Sequence, residues 1–416
     1  MKRLVKGSDL QGTIHIPSSK SDGQRALLCA ALSKGRSILN QLGSSDDELA
    51  MLRNIQVIGA KVEEKDDGSL MIAGIHTFPE YLELNVGESG LGLRLLAGIC
   101  ATQKGNHRIA GVGSILKRDQ SFFEDNLNKY GAEVISNQGK LPLEFGGQIK
   151  VDKLDVDGSL SSQYISGLLL GLALNVNSST LNVHDLKSGP YVDMTMNTMS
   201  QFGVKVQNNN YKAFQLNGED SFLGTNYMVE SDWSSASYWL AAAALGCDVE
   251  IKGLDLKSKQ ADVKFLEALE LAGCSVLETE NGLEVKTSVL NGFEFDATNC
   301  PDLFPALVVV ASKCNGLTKI QGLSRLANKE SDRGVVLQQE FGKLGVEIKL
   351  DEDYMLIQGN SQLKRAKVSS NHDHRIAMSL AILGTTIVDG IEIEHAEAVS
   401  KSYPEFWQHL DELSVS

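Results

Sequence analysis

One short phrase recurs along the chain: an apolar residue, a glycine, a small residue, a polar residue and a β-branched residue. It reads Ile58-Gly59-Ala60-Lys61-Val62, Tyr130-Gly131-Ala132-Glu133-Val134 and Phe202-Gly203-Val204-Lys205-Val206, then Ala272-Gly273-Cys274-Ser275-Val276 and Leu344-Gly345-Val346-Glu347-Ile348. The glycines follow one another at intervals of 72, 72, 70 and 72 residues. Ahead of each phrase the apolar positions recur at threes and fours, as in Leu49, Leu52, Ile55 and Ile58, or Phe265, Leu266, Leu269 and Ala272, which predicts a helix. The residues after each glycine predict a strand, so the glycine sits where a helix end needs positive φ. Polar turns follow at Asp66-Asp67-Gly68, Asn208-Asn209-Asn210, Glu280-Asn281-Gly282 and Asp351-Glu352-Asp353, each leading into a second strand and so predicting a hairpin. A further helix opens upstream on small or hydroxyl residues, at Ser18 to Ser21, Gly87 to Gly92, Ser159 to Ser162 and Asp232 to Ser235. The pattern is an α/β protein of six repeated β-α-β-α-β-β units, the last without its closing hairpin. A solenoid of such units would need polar capping repeats, which are not evident, and two globular lobes of three units each fit better.

With 416 residues, 42% hydrophobic and 22% charged, there is ample chain to bury a core in each lobe. The formal charge of −14 disfavours nucleic acid and anionic membranes as partners, and it obliges any anionic ligand to find a local cluster of cations. The six cysteines form no C-x-x-C pair and have no metal-like spacing with histidine, so reduced thiols in a cytoplasmic protein are expected. No apolar run approaches the length of a membrane span.

Several phrases place cations and hydroxyls at helix openings, where unpaired N–H groups favour an anion. Pro17 to Leu28 carries Lys20, Ser21 and Arg25 in its first turns, although N-capping alone would explain one serine. Val86 to Arg94 is rich in glycine but has no G-K-[ST], and tight helix packing explains a lone glycine loop as well as a ligand does. Ser159 to Gln163 sets two hydroxyls and an amide before Tyr164 to Leu174. Asn328 to Arg333 puts Lys329 and Arg333 four apart, as on one helical face, with Glu330 beside them; a solvated charged face is the plainer alternative. Asp302 precedes the apolar helix Pro305 to Ala311, as an N-cap would. Asn371 to Arg375 groups two histidines and an aspartate, but adjacent side chains diverge and no second ligand lies at a useful spacing, so no metal is expected; Arg375 reads as a cation and Asp373 as a cap. Lys401 stands just ahead of the final helix.

Taken together and in order, these phrases resemble the 5-enolpyruvylshikimate-3-phosphate synthases, a family of enolpyruvyl transferases. The resemblance spans essentially the whole chain: S-K-S-x-x-x-R at Ser19 to Arg25, G-x-x-G-x-x-x-R at Gly87 to Arg94, Arg118, G-S-x-S-S-Q at Gly158 to Gln163, and Pro190-Tyr191. It continues with D-x-S-S-A-S-Y at Asp232 to Tyr238, Pro301-Asp302, K-E-S-D-R at Lys329 to Arg333, D-H-R at Asp373 to Arg375, and Lys401. It implies a two-lobed inside-out α/β barrel, with residues 1–16 and 230–416 in a discontinuous lobe, 17–229 in a continuous one, and the active site in the cleft between them. The implied reaction transfers the enolpyruvyl group of phosphoenolpyruvate to the 5-hydroxyl of shikimate 3-phosphate, releasing phosphate through a tetrahedral intermediate, in a monomer without cofactor or metal.

The resemblance also assigns residues. Shikimate 3-phosphate would be held by Lys20, Ser21, Arg25, Ser161, Ser162, Gln163, Ser188, Asp302 and Lys329. Phosphoenolpyruvate would be held by Lys20, Gly90, Arg118, Gln163, Arg333, Arg375 and Lys401. Asp302, Glu330 and Lys20 would be catalytic. Four positions depart from the family's pattern: Glu88 for asparagine, which should repel a phosphate unless it turns outward or pairs with a cation, Leu91 for threonine, Arg325 for asparagine, and Gly189 for a basic residue. The related UDP-N-acetylglucosamine enolpyruvyl transferases use a loop cysteine as acid, and Gly111 to Gln120 has none. An RNA 3′-phosphate cyclase is disfavoured by the chain's acidity, and a catalytically weak anion-binding relative has only Glu88 in its favour.

Overall fold

A computed structural model describes residues 1–279, 282–287, 289–327 and 329–415. The residues Glu280 and Asn281 of one expected turn, and Asn328, fall outside the described residues. The chain divides into two compact units, Met1–Pro17 with Ser231–Ser416, and Ser18–Glu230.

The unit Ser18–Glu230 contains three four-stranded sheets with one topology. In the most regular, Tyr81–Asn85 runs parallel to Asn106–Ala110, which pairs antiparallel with Lys140–Phe145, which in turn pairs with Val134–Asn137. Lys153–Asp157, Ser179–His184, Ala213–Leu216 and Gln207–Asn209 repeat that order. The third sheet, of Arg36–Asn40, Leu70–Ala73 and Lys61–Glu64, receives its parallel strand from the far end of the unit, Asn226–Met228. The unit thus closes on itself.

In the other unit, Asp9–His15 and Asp248–Lys252 are the parallel pair of one sheet, and Glu294–Asp296 and Leu317–Gln321 of another, each continued by its hairpin. The last repeat, which lacks a hairpin of its own, pairs Lys367–Ser369 with Ile391–Glu394 and completes the sheet with Lys2–Val5.

Helices fill the interior and sheets form the outside, an inside-out arrangement. All thirteen residues of the helix Gly90–Thr102 are buried, as are all twelve of His374–Thr385 and eleven of the twelve in Trp233–Ala244. A helix apolar on every side belongs in a core. The strands instead alternate, with Tyr81–Asn85 and Lys153–Asp157 exposing every second residue.

The five repeated glycines all adopt positive φ, between +90° and +112°, as the helix–strand joint requires. Two local expectations shift. In the helix Asp46–Ile58 the buried face is Ala50, Met51, Asn54, Ile55 and Ile58, while Leu49 is exposed, because a strict spacing of three drifts off a 3.6-residue period. The turn expected at Asn208 to Asn210 centres on Asn210 and Tyr211, both left-handed, with Asn208 and Asn209 in the strand. All six cysteines are free thiols. No helix among the described residues is long and apolar enough to cross a membrane.

Glycines let the central helices of Ser18–Glu230 touch backbone to backbone. A Cβ on Gly98 would lie 2.2 Å from the carbonyl carbon of Gly167, and one on Gly167 would lie 2.1 Å from the carbonyl oxygen of Arg94. Gly98→Ala is expected to cost about 2–3 kcal/mol in urea unfolding, since overpacking a rigid contact forces the helices apart. Gly35→Ala, at φ +99° but with no neighbour within 4 Å, should cost only about 1 kcal/mol.

Candidate active site

Asp302 is the point on which one cluster converges. It lies in a short 3₁₀ turn, Pro301–Leu303, ahead of the helix Phe304–Lys313. It does not cap that helix. Its Oδ1 accepts from Lys329 Nζ at 3.2 Å and Arg333 Nη1 at 2.9 Å, and its Oδ2 accepts from Arg375 Nη2 at 3.0 Å. Burial opposes its charge, but Arg375, Lys329 and Arg333 outweigh burial and hold the carboxyl well below the usual carboxylate range.

Arg333 is fully buried and spends each end of its fork on a carboxylate. Nε donates to Asp373 Oδ2 at 2.9 Å, Nη1 to Asp302, and Nη2 to Glu330 Oε2 at 2.6 Å. Burial alone would weaken its charge; Asp373, Glu330 and Asp302 together strengthen it. Lys329 and Glu330 precede the helix Arg333–Lys343 rather than sharing a face of it, and Asp332 is its N-cap. The loop still brings Lys329 and Arg333 onto the same oxygen of Asp302. Asp373 caps the helix His374–Thr385 through the Arg375 N–H at 2.9 Å while binding Arg333, so one carboxylate fixes both a helix start and a guanidinium. Lys401 donates from Nζ to the carbonyl of His372 at 2.8 Å.

Sequence reasoning passed over two neighbours of Arg375. Ser234 Oγ accepts from Arg375 Nη2 at 3.2 Å and donates to the buried carboxylate of Asp262. Burial, then the negative charge of Asp302, pushes Asp262 up to about 7. Asp232 to Ser235 was legible as a helix opening and as part of a family motif, with no ligand role given to Ser234, and nothing near Asp262 in sequence marks it.

A second cluster is built on the openings of the helices in Ser18–Glu230. Lys20 begins the helix Lys20–Leu32, whose N-cap is Ser19, and its Nζ lies 3.0 Å from Asp47 Oδ2. Gly90 begins the next core helix. A Cβ there would lie 2.7 Å from Arg118 Nη1 and 3.2 Å from Arg94 Nη1, so two guanidinium groups face this glycine. Arg94, which the sequence did not single out as a ligand, also donates to Gln163 Oε1 at 2.7 Å and lies over the Tyr164 ring. Ser161 caps the helix Ser162–Leu172 by accepting from the Gln163 N–H. Glu88 turns onto the loop that follows, accepting from the Ser114 N–H at 2.8 Å and hydroxyl at 2.7 Å; the negative charge expected to trouble a phosphate is anchored on the 3₁₀ turn Gly113–Lys117.

Arg25 is buried among protein partners: Thr195 Oγ1 at 2.7 Å, the Ser21 carbonyl at 2.6 Å and the Tyr191 carbonyl at 3.1 Å. It ties Lys20–Leu32 to the helix Gly189–Gln201, whose N-cap, Ser188, is left-handed at φ 57°. Gly189 packs against the Tyr211 ring, which its missing Cβ would meet at 3.1 Å.

Comparison with known proteins gives the family and the fold. The family described as EPSP synthase (3-phosphoshikimate 1-carboxyvinyltransferase) matches residues 4–410. The chain belongs to the EPSP synthase family. A family member from Clostridium perfringens named 3-phosphoshikimate 1-carboxyvinyltransferase is 37% identical over 99% of this chain and 98% of its own. One from Clostridium acetobutylicum bearing the same name is 37% identical over 97% and 95%. The solved EPSP synthase of Acinetobacter baumannii superposes with a TM-score of 0.82 at 26% identity, covering 100% of this chain and 98% of that one. The enolpyruvyl transferase NikO of Streptomyces tendae, at 15% identity and a TM-score of 0.76, shares the fold.

Asp22, in the first turn of the helix Lys20–Leu32, is almost wholly buried, accepting from the Tyr227 hydroxyl at 2.7 Å, the Thr198 hydroxyl at 3.2 Å and the Glu230 N–H at 3.1 Å. Burial outweighs these bonds and lifts it from 3.8 to about 6. The folded chain therefore holds a proton that the unfolded chain has lost, so this group's contribution to stability is full below about pH 4 and disappears as the pH rises through about 6. Asp22→Asn should flatten the fall in unfolding free energy between pH 4 and 7 by on the order of 3 kcal/mol, measured by urea titration at each pH. An unchanged slope would refute this assignment.

Proposed function

We propose that this chain transfers the enolpyruvyl group of phosphoenolpyruvate to the 5-hydroxyl of shikimate 3-phosphate, with release of phosphate. The observation that carries the reading is the convergence of Lys329, Arg333 and Arg375 on Asp302. Three cations on one carboxylate are poised for exchange: an incoming phosphate or carboxylate can take their donors, and arginine suits both geometries.

In this proposal the anionic substrates compete with Asp302 and Glu330 for the Nη groups of Arg333 and Arg375, while Arg333 Nε stays on Asp373. Losing those cations raises the basicity of Asp302 when a hydroxyl is at hand. Asp302 then takes the 5-hydroxyl proton as that oxygen bonds to C2 of phosphoenolpyruvate, and Glu330 gives a proton to the methylene carbon. In the second step the bond from C2 to the phosphate oxygen breaks, Glu330 takes a proton back from the methyl group as the carbon–carbon double bond reforms to give the enol ether, and the phosphate leaves with the proton that Asp302 had taken, so both carboxylates return to their starting state. Lys20 assists at the bridging oxygen, and Arg333, Arg375 and Lys401 stabilise the anionic groups throughout. Gly90 with Arg118 and Gln163 completes the phosphoenolpyruvate set. Ser21, Arg25, Ser161, Ser162, Gln163, Ser188 and Lys329 serve shikimate 3-phosphate, Arg25 by holding its neighbours in place.

Phosphate release from shikimate 3-phosphate plus phosphoenolpyruvate tests the activity, and no turnover by the folded protein would sink it. Asp302→Asn should lower kcat by about 10²–10⁴-fold while sugar-phosphate binding, followed by calorimetry, is retained or tightened. A near-normal rate would remove Asp302 from the role of base.

A further inference from the structure

The sequence gives His372 no partner ligand nearby, but the fold supplies two. His395 immediately precedes the 3₁₀ turn Ala396–Lys401, and it, His372 and Glu397 each offer one donor atom, all three lying within 4.8 Å of one another. The two imidazole rings lie one against the other, with centroids 3.9 Å apart and planes inclined by 37°. His395 Nδ1 is 3.9 Å from Glu397 Oε1. His372 and Glu397 are exposed and His395 half-buried, so water and ions reach the group.

We propose that His372, His395 and Glu397 form a binding site for a divalent transition-metal ion of the zinc, nickel or copper class. Two neutral imidazoles and one carboxylate suit these borderline ions, whereas magnesium and calcium prefer oxygen donors throughout. Around a tetrahedral zinc ion the donors stand about 3.3 Å apart, given metal–ligand bonds of about 2.0–2.1 Å. Side-chain rotations of an ångström or so therefore complete the site, and exposed side chains make them cheaply. The remaining positions are left to water. A competing cation is already in place: the Met1 ammonium pairs with Glu397 and would be displaced from the coordinating oxygen. His372 also offers its carbonyl to Lys401 Nζ, so an ion on its ring adds positive charge beside that lysine.

The test is calorimetric titration of the untagged full-length chain with zinc chloride, in a buffer that does not bind metals. Expected is one zinc equivalent per chain, unaffected by excess magnesium, with affinity lowered at least tenfold in His372→Asn and in His395→Gln and severalfold in Glu397→Gln. Cobalt(II) supplies an independent readout, since a site with two imidazoles and a carboxylate gives visible absorption bands that the His372→Asn/His395→Gln double variant loses. Circular dichroism establishes that each variant is folded. No saturable zinc binding by the wild type, or equal binding by the folded double variant, overturns the proposal. None of these readouts depends on turnover.

Discussion

A buried guanidinium surrounded by three carboxylates organises the unit that contains it. Arg333 could not be held out of water alone, because the cost of burying an isolated charge is several kcal/mol. It is held because Asp373, Asp302 and Glu330 each accept from a different edge of its planar fork. Each carboxylate belongs to a different local structure: a helix cap, a 3₁₀ turn and a loop. The ion cluster therefore fixes the relative positions of segments distant in sequence, and its geometry is set by the fork rather than by flexible side chains. The same cluster engages Asp302 and Glu330, so in the function proposed above structural cohesion and chemical readiness come from one set of contacts.

The inside-out arrangement explains where those contacts sit. With helices in the core, helix openings carry the polar groups, and the N–H groups freed at each opening lie beside Lys20, Gly90, Ser161 and Arg375. The repeat thus supplies equivalent anion-friendly positions several times over, and sequence divergence among repeats furnishes them differently. Glycine contacts such as that of Gly98 with Gly167 allow the central helices to come close enough for this packing.

The repeat was legible because two physical signals coincide at each joint: an apolar helical face and a glycine that must take positive φ. Its strand exchange was less so, since nothing local tells Asn226–Met228 to join the sheet of Arg36–Asn40. Among site residues, Lys329, Arg333 and Arg375 were visible as charges beside helix openings, although the expected helical face for Lys329 proved to be a loop. Asp302 could be read from its neighbours only as a cap, because its three partners lie 27 to 73 residues away. Asp262 and Asp47 escaped notice for the same reason: a single carboxylate carries no local mark of the guanidinium or ammonium group it will meet. Arg94 and Ser234 stood inside recognisable motifs, but nothing local showed that they would meet Gln163 and Arg375.

The pairing of Lys2–Val5 with Ile391–Glu394 has a bearing on biosynthesis. All the strands of Ser18–Glu230 come from its own continuous stretch, so that unit can mature while the ribosome is still at work on the rest. The opening strand must wait for a partner made almost 400 residues later, roughly 20–80 s at about 5–20 residues per second. During that interval its unpaired edge is open to a chaperone or to a neighbouring nascent chain. The late closure makes the final sheet the slow, non-local step in assembly of its unit.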